Sequence, residues 1–343
     1  MRGIRFAALL FGLALASPAG AGIPITIGVA PVVPVASTYI AMDKGWLADA
    51  GFDVKIEEVD SATKFIAFLA TGQIQVLHGG IGAVYYNAIA QGLPITMVLD
   101  SGSTPVYQDL LVRTDLKDQI KKIEDLKGRK IGFVSQAGVP VYSVGKLLET
   151  VKLTIKDIDD KYMPFPDMAT GFANKAIDLV LAVPPWGELI SDRQLGVRWL
   201  DPSTKIGPQP MELVVYTVNT DWAKANAEAA QKLFTILARG GREYCQAYHH
   251  GPNRAEVSAM LVKHKVVNDA VLLERMSWQA RDVSGRLNLE SLDDQQEWFH
   301  RFGMLKDIAP RAKLSDARYA EAANKELGPF KLINTDSKIE GCR

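Results

Sequence analysis

The chain has little cysteine, two residues in 343, and neither Cys245 nor Cys342 belongs to a CxxC pair. That excludes a dithiol redox centre and a cysteine-built zinc site. There is no surplus of either charge, with 39 Lys plus Arg against 39 Asp plus Glu, so composition gives no support to a nucleic-acid partner. Beyond residue 21 no segment approaches the roughly 20 continuous apolar residues of a spanning helix, and a permanent membrane anchor is not expected. The chain carries no HExxH, no GxSxG, no P-loop and no GxGxxG, which removes the common signatures of metal-assisted, serine-based, nucleotide and dinucleotide chemistry. No catalytic residue, metal or cofactor is expected. Solenoid repeats and low-complexity tracts are also missing.

What is present begins with a secretory signature over residues 1–21. Arg2 and Arg5 form the basic start, residues 6–16 the apolar stretch, and Ala19-Gly20-Ala21 the small-residue cleavage site. Export to the periplasm is therefore expected. In an oxidising compartment Cys245 and Cys342 either pair and tie down the C-terminal tail or remain two thiols, and spacing does not choose between these. The length is that of about two domains, each able to bury its own core.

Hydrophobic periodicity then gives a run of strand and helix units. A strand over 25–30 precedes a helix that stops at Gly45, a turn that stops at Gly51, and a strand in which Phe52, Val54 and Ile56 alternate with Asp53, Lys55 and Glu57. Helices over 62–71 and 83–91, ended by Gly72 and Gly92, separate strands over 75–78 and 95–99. The pattern restarts with strands over 109–112, 130–134 and 177–181 and a helix over 141–151. Residues 211–218 read as extended, and from residue 221 nearly all is helix, over 222–248, 254–263, 270–280, 289–302 and 316–326. The expected fold is α/β with mainly parallel sheets. Lobe 1 takes residues 22–103 and 219–343, lobe 2 takes 104–218, and a helical tail rejoins lobe 1.

Four blocks carry a family resemblance. They are YIAMDKGWLADAGFDV at 39–54, FLATGQIQV at 68–76 with QGLP at 91–94, IEDLKGRKIGF at 123–133, and the strand over 175–183 that runs into Pro184-Pro185-Trp186. In this order and spacing the chain resembles the periplasmic solute-binding proteins of ABC importers. Within that class it is similar to the family of receptors for aliphatic sulfonates, taurine, nitrate and hydroxymethylpyrimidine thiamine precursors. The resemblance implies a two-lobe, type II binding-protein fold with a hinge and a monomer that is not an enzyme. It also implies a small-molecule solute held between the lobes and a membrane permease as partner. Gln75, His78 and Pro184-Pro185 depart from the family pattern near the implied pocket, so no one member's ligand carries over. A ligand-sensing module for a membrane sensor would use the same pocket. The pyrimidine-precursor synthases that share the fold carry a cysteine-rich motif that this chain lacks.

Ligands of open α/β sheets bind beyond the carboxyl ends of strands, where loops and helix N-termini offer free N–H groups. The candidate contacts are Pro31 and Tyr39, Ser61 and Thr63, His78 with Gly79 and Gly80, Ser135 with Gln136 and Tyr142, and Trp186. Each has a plain alternative. Gly79 and Gly80 can form a tight turn, His78 can be a satisfied interior histidine, and Ser135 and Gln136 can cap a helix. Tyr39, Tyr142 and Trp186 can be core.

Overall fold

A computed structural model describes residues 22–58, 62–105, 109–203, 205–336 and 338–342. The expected signal segment lies outside them. Ten strands make two five-stranded sheets. The first contains β1 (Ile23–Val29), β2 (Phe52–Glu58), β3 (Val76–Gly80), β4 (Ile95–Ser103) and, from much later in the chain, β10 (Glu212–Asn219), in the order β2-β1-β3-β10-β4. The second contains β5 (Asp109–Arg113), β6 (Lys130–Phe133), β7 (Asp159–Tyr162), β8 (Leu179–Ala182) and β9 (Gly196–Leu200), in the order β7-β6-β8-β5-β9.

Both sheets are mixed, where mainly parallel sheets were expected. In each, three neighbouring strands run parallel. The antiparallel member is the strand that has just crossed from the other lobe, β10 in the first sheet and β5 in the second. The return crossing therefore precedes β10, and the strand assigned to the end of lobe 2 is an inner strand of lobe 1. All eight residues of β10 are buried, the near-continuous apolar character of a strand covered on both faces.

Local chemistry accounts for most boundaries. Gly45 and Gly51 have φ of 74° and 87° and end the helices Ala36–Asp43 and Trp46–Asp49 in the left-handed conformation that favours glycine. Asn219 caps the helix Thr220–Ala225 by accepting the Trp222 N–H at 2.8 Å. The single helix expected over 222–248 is two, because Asn226 leaves helical geometry (φ −127°, ψ 44°) before Ala227–Tyr248 begins.

One apolar cluster runs from Phe65, Leu77 and Ile89 of lobe 1 to Leu110, Ile131 and Leu181 of lobe 2, so the lobes do not keep wholly separate cores. The bridge is the helix Leu289–Arg301, whose buried Leu292, Gln295, Trp298 and Phe299 follow a one-face helical spacing. Trp298 meets the ring of Tyr142 edge-on at 5.7 Å, and a Cβ at Gly145 would lie 2.0 Å from its ring. Cys245 and Cys342 form a disulfide, which selects the first of the two states open to them.

Candidate functional site

The two sheets approach each other at carboxyl ends of parallel strands, where the loops after β3 and β6 meet. On lobe 1 such strand ends lead into the loops after β1 and β3, and on lobe 2 into the loops after β6, β7 and β8. The two rims touch. Gly82 bridges Gly138 in antiparallel fashion, and the Ala83 N–H donates to Ala137 O at 2.8 Å. A Cβ at Gly82 would stand 2.4 Å from Ala137 O, so this approach of one lobe to the other requires glycine. At a second point Arg275 of lobe 1 pairs with Asp192, at the end of the lobe 2 helix Trp186–Asp192.

Six of the sequence candidates lie at the carboxyl ends of β1, β3, β6 and β8. Ala30 N–H donates to His78 O at 3.1 Å, which sets the exposed Pro31 beside Gly79 and the exposed Gly80. The half-buried Ser135 and the exposed Gln136 precede Gly138 on the opposing loop. Trp186, half-buried, lies parallel to Phe165 with ring centroids 5.9 Å apart, and its indole N–H is buried with no hydrogen-bond partner among the described residues. Phe165 was not anticipated. It follows β7, whose sequence Asp-Asp-Lys-Tyr lacks apolar alternation because the strand is an edge with no fully buried residue. Only the prolines on either side, Pro164 and Pro166, mark the turn.

Three candidates, Tyr39, Tyr142 and His78, are buried in the interior. Tyr39 is buried and stacks on His264 at 4.1 Å. Burial, with the Glu58 charge adding to it, pushes its hydroxyl up to about 12. Tyr142 is buried against the bridging helix, where its hydroxyl donates to Asp294. Its pKa is raised by burial and then by that bond. His78 has both ring nitrogens engaged, Nδ1 with Thr38 Oγ1 at 2.8 Å and Nε2 with Ser101 Oγ at 2.6 Å, and it stacks on Tyr216 at 3.8 Å. No nitrogen is left for a solute. Ser61 lies outside the described residues, as does the side chain of Thr63.

Behind the rim runs a buried polar network that sequence reasoning did not find. Tyr216 on β10 hydrogen-bonds Ser37 and Thr38 at 2.8 and 2.9 Å. Arg281 donates to Pro34 O at 2.8 Å and lies over Tyr244 at 3.9 Å, which fixes the loop after β1 from below. Burial holds the His78 imidazole well below its ordinary value, with the Arg281 charge adding to the effect, so the ring is neutral. Burial raises Asp100 to about 6 against the opposing bond from the Asp282 N–H and the charge of Arg281. Glu212 is raised further, by burial and then by the Asp100 charge. The signal for this network was present only as polar residues inside apolar strands, at Asp100, Ser101 and Glu212.

Several known proteins are similar to this chain. A thiamine biosynthesis assignment is attached to a Haemophilus influenzae protein that is 28% identical over 159 residues, 46% of this chain, and the match spans about half (49%) of that relative's length. Among solved structures, the alkanesulfonate-binding protein SsuA of Xanthomonas axonopodis pv. citri, bound to MOPS, superposes with a TM-score of 0.68 at 16% identity, covering 87% of this chain and all (100%) of that one. The periplasmic nitrate-binding protein NrtA of Synechocystis PCC 6803 gives 0.69 at 15%, covering 89% of each chain. The desulfurization enzyme DszB gives 0.63 at 16%, covering 89% and 100%. These superpositions show that the chain shares its two-lobe fold with them. The NMT1/THI5-like family pattern matches residues 34–250, most of the described chain, and the protein belongs to that family.

Proposed function

We propose that the protein is an extracytoplasmic solute receptor that closes its two lobes on a small organic molecule and presents it to the permease of an ABC importer. The observation that carries this reading is the rim itself. The loops after β3 and β6 meet through glycine backbone, with Gly80 and Gln136 exposed, and Trp186 at the end of β8 has an unpaired indole N–H. A solute that touches both loops only when they approach has higher affinity for the closed form, and that difference shifts the hinge equilibrium. The rim candidates Pro31, Gly79, Gly80, Ser135, Gln136 and Trp186 are neutral, and the Arg275 named at the second contact is paired with Asp192. This favours a pyrimidine or other heterocycle, or an aromatic compound or sulfonate whose charge is held by N–H donors.

Catalysis is not part of the proposal. The chain's two cysteines are joined to each other, so a thiol-based reaction on this fold has no free thiol here. Export through a cleaved N-terminal signal, action as a monomer and hand-over to a permease rest on the sequence and on the kind of protein the neighbours are.

A thermal-shift screen of the purified protein against sulfonates, nitrate, pyrimidines, flavins, amino acids and aromatic carboxylates tests the reading. A true ligand at 100 times its dissociation constant adds about 2.7 kcal/mol, a shift of a few degrees. A response confined to one chemical class, with the compound recovered unchanged, supports the receptor. Turnover of the compound sinks it.

A further inference from the structure

Cys245 sits within the helix Ala227–Tyr248, and its disulfide to Cys342 spans a sequence separation of 97 with both residues buried. Neighbouring groups hold the same tail. Tyr248 Oη donates to Glu340 O at 2.7 Å, His249 Nε2 lies 2.9 Å from Gly341 O, and the Asp336 N–H donates to His249 O at 2.8 Å. The tail is thus set at a specific place on lobe 1.

That place is the start of the first crossing. Gly341, with φ of 84°, lies so close that a Cβ would stand 2.6 Å from Ala280 Cβ and 3.1 Å from Pro105 Cδ. Ala280 in turn is laced to the crossing. Its N–H donates to Pro105 O at 3.0 Å, and its carbonyl accepts the Ser103 N–H at 2.8 Å. Thr104 ties this crossing to the return one, since its N–H donates to Met211 O at 3.1 Å and its hydroxyl accepts the Met211 N–H at 2.8 Å. A continuous set of contacts therefore leads from the disulfide to both chain segments that join the lobes.

We propose that the disulfide-locked tail, residues 338–342, is a strap on the hinge. By seating Gly341 against Pro105 and Ala280, it restrains the twisting of the first crossing and, through Thr104 and Met211, the rotation of one lobe against the other. An end-anchor with no other role would need only the disulfide and the bonds to Tyr248 and His249. The close packing on Pro105 and Ala280 is what an anchor does not require. The strap needs no ligand, so its fate is separate from the identity of the solute.

Hydrogen exchange of the full chain, read at single amides, tests this with two variants. One is Cys245→Ser with Cys342→Ser. The other is Gly341→Ala, which keeps the disulfide but drives a methyl group into Ala280 and Pro105. In both, the amides of Ser103, Thr104 and Ala280 should exchange about tenfold faster over and above any general change read at the amides of β6 and β8. Should the double cysteine variant fail to fold, Gly341→Ala decides alone, with mass spectrometry confirming the intact disulfide. Unchanged exchange at the three hinge amides in Gly341→Ala would leave the tail a simple anchor and overturn the proposal. Acceleration spread evenly over both sheets would also overturn it, as a loss of global stability.

Discussion

His78 is the residue at which local pattern and three-dimensional role part company. From the sequence it is a polar group at a strand end beside a glycine loop, a description that suits a ligand donor as well as an interior hinge of hydrogen bonds. What decides is the presence of Thr38 and Ser101 on either side of the ring, contributed from 40 and 23 residues away, and no one-dimensional pattern carries that. The same holds for Tyr142, whose partner Asp294 is 152 residues distant. The placement of Trp186 and of Gly79 and Gly80 at strand ends was legible from the order of strand and helix units, although both glycines are the last residues of β3 and not a loop.

Two measurements belong at this scale. The native ring of His78 stays neutral, whereas in the unfolded chain it takes up a proton below about pH 6.5, so this group costs stability as the pH falls through that value. His78→Gln should remove a slope of about 1.4 kcal/mol per pH unit between pH 6 and 5, measured by urea unfolding. Asp100 has the opposite sign. Its native carboxyl, raised to about 6, takes its proton before the unfolded one does, so stability grows as pH falls from about 6 toward the unfolded value near 3.9. The background slope from Asp100 is present in both chains, and the difference between them isolates His78. Trp186→Ala should weaken binding of the compound found by thermal shift at least about tenfold, while the unliganded melting temperature moves by only a few degrees. A large fall in melting temperature with affinity unchanged would make Trp186 core.

At the scale of elements, helices with caps and strands with alternation were readable, and the misses share a cause. β7 is an edge strand with no fully buried position, and β9 has only Gly196 fully buried, so neither carries the periodic signal that burial imposes. The bridging helix was visible as a helix, but its contact with the helix Val139–Glu149 of the other lobe was not. Gly145 reports on that contact. Gly145→Ala would put a methyl into the Trp298 ring, and a destabilisation of about 1–3 kcal/mol is expected from overpacking, read as a lower denaturant midpoint at unchanged slope. Gly82 reports on the rim. Its φ of 170° suits any residue, so the cost of Gly82→Ala falls where the lobes meet, as a clash with the Ala137 carbonyl. The expected result is weaker ligand binding, followed by isothermal titration.

The whole molecule was legible as two α/β lobes with a helical tail, because recurring strand and helix units dictate an open-sheet architecture. The division between lobes was less so, since residues 213–218 are mostly apolar and extended in either assignment and only pairing reveals which sheet receives them. The disulfide also acts at this scale. It closes a loop of about 100 residues, for which chain entropy gives about 4.7 kcal/mol, with measured losses of native disulfides usually 2–5. The melting temperature should therefore fall by several degrees when Cys245 and Cys342 are both replaced by serine, as followed by circular dichroism.

The position of β10 bears on how the chain comes together in time. It lies between β3 and β4, not at a margin, so the first sheet has a gap between those two strands until residue 219 has been made. The five strands of the second sheet lie within residues 109–200 and need no later strand to pair. In a chain that emerges from its N-terminus, the sheet encoded first is thus the one whose strand pairing is completed last. Until then β3 and β4 each present an unpaired inner edge, and the apolar residues of 95–99 remain without the neighbour that covers them.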